Sequence, residues 1–132
     1  MEQQERLPLN YLEHESYALI GAFFEVYNNL GCGFLEEVYQ ESLEMELQER
    51  NIPFISQQDL QLQYKGKLLK HAYRPDLICF NQIIVELKAV KELDDVHRSQ
   101  AINYAKVAGY KVALLINFGN TSLEFERFNI SA

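Results

Sequence analysis

The sequence predicts a mixed α/β domain in which a central sheet is flanked by helices. Apolar residues recur at intervals of three and four in the N-terminal part of the chain, which is typical of amphipathic helices. From residue 58 onward, shorter segments alternate apolar and polar residues or form compact apolar runs, which is typical of strands. The length of 132 residues suits one hydrophobic core, and no repeat or linker divides it. We therefore expect residues 1–132 to form a single domain.

Two helices are expected at the start of the chain. Residues 11–30 carry their large apolar side chains on one helical face, and Gly31 and Gly33 follow as terminators. Residues 34–50 repeat this pattern and are closed by Pro53, which cannot continue a helix. The expected pair packs its two apolar faces against the remaining core.

A third helix is expected among the strands. Asp94 and Asp95 are suited to cap its N-terminus, and Gly109 follows its last residue, Ala108. Lys65-Gly66 is a turn signal between two strands. Strands are predicted at residues 58–64, 68–80, 83–90, 111–118 and 122–128, the last as an edge strand.

Composition and charge restrict the classes of function. The net charge of -7 argues against broad electrostatic attraction to nucleic acid or anionic membranes, so local groups or a metal must hold any phosphate-bearing ligand. The sequence has no apolar run of membrane-spanning length, and MEQQERLPLN lacks the apolar core of a signal peptide. We expect a cytoplasmic protein without membrane contact. Cys32 and Cys79 stand alone, and the histidines have no metal-ligand spacing.

The stretch YRPDLICFNQIIVELKAV places three charges among apolar residues. On a strand, Glu86 and Lys88 point to the same face, and Asp76 can stand opposite Glu86 on the neighbouring strand. Two adjacent carboxylates repel each other unless a proton or a cation lies between them, and oxygen ligands suit Mg²⁺ or Mn²⁺. Considered alone, the strands leave an ion pair and a metal site equally open.

The metal hypothesis requires a particular hairpin register. Asp76 faces Glu86 only if the turn is centred on Asn81, and a two-residue Asn81-Gln82 loop would send the carboxylates to opposite faces. We therefore predict an odd-membered loop around Asn81 or a bulge, because asparagine tolerates the left-handed conformation that such loops use.

Two motifs resemble a known group of nucleases. Pro75-Asp76 followed by Glu86-Leu87-Lys88 is similar to the PD-(D/E)xK signature of restriction-endonuclease-like proteins. Upstream, GFLEEVY from residue 33 to residue 39 reads G-x-x-E-x-x-Y, and nearly the whole chain resembles the small GxxExxY family of that superfamily. The resemblance implies a restriction-endonuclease-like core.

The resemblance also implies roles for individual residues. Asp76 and Glu86 match the metal-binding acids, and Lys88 matches the catalytic lysine. Glu36 matches a helical acid that supports the site. A pattern of substrate-binding residues found after the ExK strand is matched by Gln100 and Tyr104, which share one helix face.

Each of these residues also has a purely structural interpretation. An acid at position 36 is favoured by the helix dipole alone, by about 0.3–1 kcal/mol. Tyr39 is more typical of a core residue than of a ligand, and Gln100 and Tyr104 can form a surface pair. For His97 we expect a structural or solvated role. A rim of basic residues that can contact phosphates is formed by Lys65, Lys67, Lys70, Arg74, Lys91 and Arg98, although dispersed lysines are usually solvated.

Three functions follow from these observations. The first is an Mg²⁺- or Mn²⁺-dependent nuclease that hydrolyses phosphodiester bonds, with DNA as the expected substrate. The second is a non-catalytic binding or assembly module that acts through a protein partner or an oligomer. The third is a regulatory protein that binds a nucleotide or metal without cleavage. We expect a homodimer or a protein partner in either of the first two cases, because a domain of this size offers little surface to hold DNA.

Overall fold

The computed structural model describes residues 10–130. The interpretation of MEQQERLPLN as lacking a targeting segment concerns residues that lie almost wholly outside this range, and the single-domain assignment for residues 1–132 remains a prediction. Within the described part of the chain, no helix is long and apolar enough to cross a membrane.

The fold contains three helices and seven strands in the described residues. In chain order the elements are α1 (Glu13–Leu30), α2 (Glu36–Glu49), β1 (Phe54–Ser56), β2 (Leu60–Tyr64), β3 (Lys67–Tyr73), β4 (Leu77–Cys79), β5 (Ile83–Lys88), α3 (Asp95–Ala108), β6 (Val112–Asn117) and β7 (Glu124–Asn129). Five strands form one sheet in the order β1-β4-β5-β6-β7, and β2 pairs with β3 in a separate sheet. Strands β5 and β6 are parallel, whereas the other pairs are antiparallel. The predicted mixed α/β class with a helix-flanked sheet is confirmed.

Helices cover both faces of the central sheet. Alternate residues of β5, such as Val85 and Leu87, pack on the α1 and α2 side together with the fully buried Tyr39. The opposite face carries Ile84, which packs with Ala105 of α3. Since side chains alternate along a strand, this arrangement directs Glu86 and Lys88 to the α3 side.

The segment 68–80, predicted as one strand, is two strands in two different sheets. Strand β3 ends at Tyr73 and β4 begins at Leu77. Pro75 lies between them and has no N–H to donate to a ladder, so pairing is interrupted at this point. The three-residue strand β1, which pairs with β4 at the sheet edge, was not predicted.

The turn between β4 and β5 confirms the predicted register. Leu77 pairs with Val85 and Cys79 pairs with Ile83, which leaves the odd-membered loop 80–82. Continuing this register by one residue places Asp76 opposite Glu86. Asn81 adopts the expected left-handed conformation with φ of 55°.

The predicted terminators act as expected. Gly31 follows α1 with φ of 69° and donates its N–H to Tyr27. Gly109 ends α3 in the left-handed conformation. Asp94 caps α3 by accepting from the N–H of His97, whose Nδ1 accepts in return from the N–H of Asp94. His97 therefore has the structural role expected for it.

Candidate active site at the end of the central sheet

Asp76 and Glu86 lie side by side where β4 begins and β5 nears its end. Oδ2 of Asp76 accepts a hydrogen bond of 2.7 Å from the N–H of Leu87. Leu87 lies past Val85, the last residue of β5 that pairs with β4. The Asp76 carboxylate therefore satisfies a backbone N–H of β5 that the ladder with β4 leaves open. The two carboxyl groups also act on each other electrostatically, since, after burial, the charge of Asp76 is among the causes that raise the pKa of Glu86. The structure thus brings together the two acids that the register prediction required.

The environment disfavours ionisation of both acids. Burial, followed by repulsion from Asp76, raises the pKa of Glu86 to about 8. Burial likewise raises the pKa of Asp76, and the hydrogen bond from Leu87 partly opposes this shift. The pair therefore holds a proton near neutral pH in the absence of a cation.

Lys88 extends from the same face of β5 as Glu86 and interacts electrostatically with the carboxyl groups of the site. Burial raises the pKa values of Asp76, Glu86 and Glu36, and the ammonium group of Lys88 opposes part of each rise. Lys88 is paired with Asn117 in the parallel ladder. One cation therefore faces three carboxyl groups at this end of the sheet.

The fully buried Asn117 fixes the chain that follows Lys88. Its Oδ1 accepts from the N–H of Val90 at 2.9 Å, and its Nδ2 donates to the carbonyl of Val90 at 2.9 Å. Gly119 lies so close to this turn that an added Cβ would be 2.2 Å from the Val90 carbonyl oxygen. Only glycine fits at position 119, and the β5 end is held in place by the end of β6.

Glu36 approaches the acids from the first turn of α2. Although the residue is exposed, partial burial of its carboxyl group, followed by repulsion from Asp76, raises its pKa. Tyr39 is fully buried, stacks on Phe118 at 4.6 Å and donates from its hydroxyl to the Gly31 carbonyl at 2.6 Å. Tyr39 is therefore a core residue, and it anchors the loop that leads into Glu36.

Gln100 and Tyr104 of α3 reach the other side of the site. Together they line a cavity of about 70 Å³ with Glu86, Lys88 and Tyr73. The ring of Tyr104 stacks on that of Tyr73, with centroids 4.3 Å apart. The two residues predicted to share a helix face thus both face the cavity that Glu86 lines.

Tyr73 is a site residue that the sequence interpretation missed. Its hydroxyl donates a hydrogen bond to Oε1 of Glu86. Burial and the negative charge of Glu86 raise the pKa of Tyr73, so its hydroxyl stays protonated and remains a donor. The signal available in the sequence was an aromatic residue directly before Arg-Pro-Asp at the predicted site. Asn117 was also missed, and its signal was a lone amide at the end of the apolar run ALLIN.

The predicted basic rim is divided by the fold. Arg74 binds Asp59 at 2.7 Å, and Arg98 is paired with both Asp95 and Glu126. These arginines are engaged in intramolecular ion pairs, so they do not form a free phosphate-binding rim with the lysines. His97 lines the cavity beside Gln100, but its imidazole is engaged at the α3 cap.

The donor set suits a hard divalent cation with few protein ligands. Among residues 10–130, no group of three or more His, Cys, Asp and Glu side chains is arranged to hold a metal. Mg²⁺ and Mn²⁺ are commonly held by only one or two carboxylates, together with water and substrate phosphate oxygens. The adjacent, partly buried oxygens of Asp76 and Glu86, whose full ionisation needs a neighbouring cation, fit that requirement.

The fold is similar to that of a solved structure. The crystal structure of SSO0001 superimposes with a TM-score of 0.58 at 17% sequence identity, and the match covers 92% of this chain. This chain spans 62% of the length of that protein. At this identity the likeness concerns the fold alone. A search of curated proteins finds no significant match.

The sequence itself matches a family profile over most of its length. The profile describes the PD-(D/E)XK nuclease superfamily and matches residues 13–128. That range contains every element of the central sheet except the last residue of β7. It also contains Asp76, Glu86 and Lys88 at the sheet end described above. The chain belongs to the PD-(D/E)XK nuclease superfamily.

Proposed function

We propose that this protein is a metal-dependent nuclease that hydrolyses phosphodiester bonds, with DNA as its substrate. The observation that carries the proposal is the convergence of Asp76, Glu86 and Lys88 at one end of the central sheet. Family membership supports nuclease-like chemistry. The more specific likeness to GxxExxY proteins, carried by Gly33, Glu36 and Tyr39, is part of the same proposal.

Each site residue has a role in this proposal. Asp76 and Glu86 hold Mg²⁺ or Mn²⁺, which supplies Lewis-acid activation of water and neutralises phosphate charge when bound. Lys88 positions the attacking water and stabilises negative charge on the phosphate in the transition state. Glu36 supports Lys88 from α2. Gln100 and Tyr104 bind the substrate from α3.

Nucleic-acid binding is expected to be weak and dependent on the metal. The chain carries a net charge of -7, and unneutralised carboxylates at the site repel phosphates. We also propose a homodimer or a protein partner, which would enlarge the surface available to DNA. Edge strand β7 and helix α1 supply apolar surface for it, since Phe24 and Phe125 contact each other and remain 40% and 38% exposed.

A cleavage assay with Mn²⁺ over single- and double-stranded DNA and RNA tests the proposal. Glu86→Gln should lower the cleavage rate by about a thousandfold, because it removes the negative charge of a metal ligand, and metal stabilisation of the transition state is worth several kcal/mol. Glu49→Gln makes the same charge change at the exposed end of α2 and should cleave like the wild type. Equal rates in the wild type and Glu86→Gln would refute the catalytic assignment.

A non-catalytic binding or assembly module is the second candidate. It is favoured by the hydrogen bonds that each acid accepts without a cation, from the hydroxyl of Tyr73 to Glu86 and from the N–H of Leu87 to Asp76. Calorimetric titration with Mn²⁺ separates the two candidates. The nuclease should bind the ion and lose it in Asp76→Asn, which retains an oxygen acceptor for the N–H of Leu87. A module without metal chemistry would release no specific heat of binding in either protein.

A further inference from the structure

The hairpin of β2 and β3 has a charge opposite to that of the whole chain. Residues 60–75 contain no Asp or Glu, whereas the chain as a whole carries a net charge of -7. Arg74, at the base of the hairpin, is bound to Asp59. The other cationic side chains of this segment are Lys65, Lys67 and Lys70. All three are exposed, and none has an ion-pair partner within residues 10–130.

The outer part of the hairpin also exposes apolar surface. Tyr64 and Leu68 are 61% and 60% exposed, and the ammonium of Lys65 lies 5.4 Å from the centroid of the Tyr64 ring. In contrast, Leu60 and Leu62 at the base pack with α3. The base of the hairpin is thus fixed to the domain, while its outer part presents lysines beside large apolar side chains.

The base of the hairpin ends in the candidate active site. Tyr73 is the last residue of β3, donates to Glu86 and stacks on Tyr104. A seven-residue strand such as β3 spans roughly 20 Å, which is about the length of six base pairs. The lysines are therefore distributed along an arm that begins beside the carboxylates.

We propose that residues 64–70 form a nucleic-acid-binding arm that holds the phosphate backbone of the substrate outside the active site. This inference rests on the proposed nuclease function and specifies how an acidic protein retains a polyanion. Positive charge without compensating acids favours a phosphate backbone as the occupant. A two-stranded ribbon fits the major groove of duplex DNA, whereas an exposed tyrosine offers a stacking surface to a single strand.

The arm can be tested with two matched double variants. Lys67→Gln/Lys70→Gln removes two charges from the arm. Lys106→Gln/Lys111→Gln removes two exposed charges at the opposite end of the central sheet, where β6 begins. Both are made in a Lys88→Met background to slow cleavage. Fluorescence anisotropy with Mn²⁺ then gives the Kd for labelled single-stranded and duplex DNA over a range of salt concentrations.

The arm variant should bind more weakly and show a shallower salt dependence. Loss of two phosphate contacts reduces the slope of log K against log salt by about 1.8 for a duplex or about 1.4 for a single strand. The form with the larger change is the one that the arm holds. The control variant should match its parent, and both double variants should retain the parent's affinity for Mn²⁺.

Several results would overturn the arm. The first is an equal change of Kd in the two double variants. The second is a parent protein that binds neither single-stranded nor duplex DNA. The third is a parent protein that binds anionic lipid vesicles in place of DNA. A change of oligomeric state in the arm variant at unchanged Kd would also overturn it, because the arm would then contact a second copy. The protein with Lys88 intact could also bind DNA through the arm lysines and yet fail to cleave it. That result would support the arm and count against the proposed nuclease function.

Discussion

The two sides of the Asp76–Glu86 pair differ in their chemistry. On the α2 side, Asp76 opens to a groove of about 440 Å³ lined by acids and amides, namely Glu36, Glu37, Gln40, Glu41, Glu44 and Gln57. On the α3 side, Glu86 faces a cavity of about 70 Å³ lined by Tyr73, Lys88, Gln100 and Tyr104 among others. The first side attracts cations and repels phosphates, whereas the second offers an ammonium, an amide and hydroxyl groups to an anion.

This difference separates the expected routes of the two ligands. Under the proposed function, a hydrated divalent cation would be attracted from the α2 side, and a nucleic-acid strand would enter from the α3 side, where the proposed arm also begins. Lys88 lies at the boundary, since it acts on Glu36 as well as on Glu86. The first prediction below changes the boundary residue, and the others change the acid pair or one side of it.

The largest expected effect comes from the boundary residue. Lys88→Met should lower the cleavage rate by about a hundredfold to a thousandfold, because one preorganised charge is lost at the phosphate. Mn²⁺ affinity should persist, since an ammonium group cannot be a ligand. Cleavage assays and calorimetry measure the two quantities. Lys91→Met, at an exposed position three residues later, is the control, and loss of Mn²⁺ binding by Lys88→Met would contradict the assignment.

The stability of the metal-free protein should depend on pH through Glu86. Its pKa rises from an ordinary value of 4.5 to about 8 on folding. The folded state therefore binds the Glu86 proton more tightly than the unfolded state does. The stability that this proton contributes is fully present below the unfolded pKa of 4.5 and is lost as pH rises to about 8. The free energy of unfolding should fall by up to a few kcal/mol as pH rises through this window.

Urea unfolding in EDTA across this pH window measures the effect. Glu86→Gln cannot ionise, so its stability should decline less with pH and exceed that of the wild type at the alkaline end. Added Mn²⁺ should restore part of the wild-type stability there by binding the folded state. A Glu86→Gln profile parallel to that of the wild type would show that other groups cause the dependence.

On the α3 side, the hydroxyl of Tyr73 is expected to tune metal binding. Tyr73→Phe keeps the ring stacked on Tyr104 but removes the donor to Glu86, so the Glu86 carboxyl should be harder to ionise. Mn²⁺ affinity should fall by about tenfold to a hundredfold, as for other groups that orient a ligand. The pH at which Mn²⁺ binds should also rise. Tyr104→Phe retains the stacked rings and leaves the hydrogen bond from Tyr73 to Glu86 in place. Equal effects of the two variants on Mn²⁺ affinity would therefore argue against a role of the Tyr73 hydroxyl.

The smallest effect is expected on the α2 side. Glu36→Gln removes the α2 carboxyl group that interacts electrostatically with both Asp76 and Lys88, so cleavage should fall by no more than about tenfold. Glu37→Gln makes the same change one residue later in the same groove and should leave the rate unchanged. Equal losses in both variants would indicate a general effect of the acidic groove, and would remove the specific role given to Glu36.

The candidate site was predictable from the sequence where local rules governed it. Alternation along a strand placed Glu86 and Lys88 on one face, and the hairpin around Asn81 brought Asp76 to them. In contrast, the pattern predicts one uninterrupted strand over residues 68–80, whereas Pro75 separates two sheets and leaves Tyr73 at the end of β3. Asn117 is not found by local rules because its partner Val90 lies 27 positions earlier in the chain.

By itself the sequence determined the class of fold, the main helices and the register of the central hairpin. These features depend on periodicity, on turn residues and on pairing between neighbouring segments, which are local properties of the chain. The tertiary structure alone decided that Tyr73 donates to Glu86, that Arg74 and Arg98 are engaged in ion pairs, and that the hairpin of β2 and β3 stands apart from the central sheet. Those outcomes depend on burial and on contacts between distant segments, which hydrophobic periodicity does not encode.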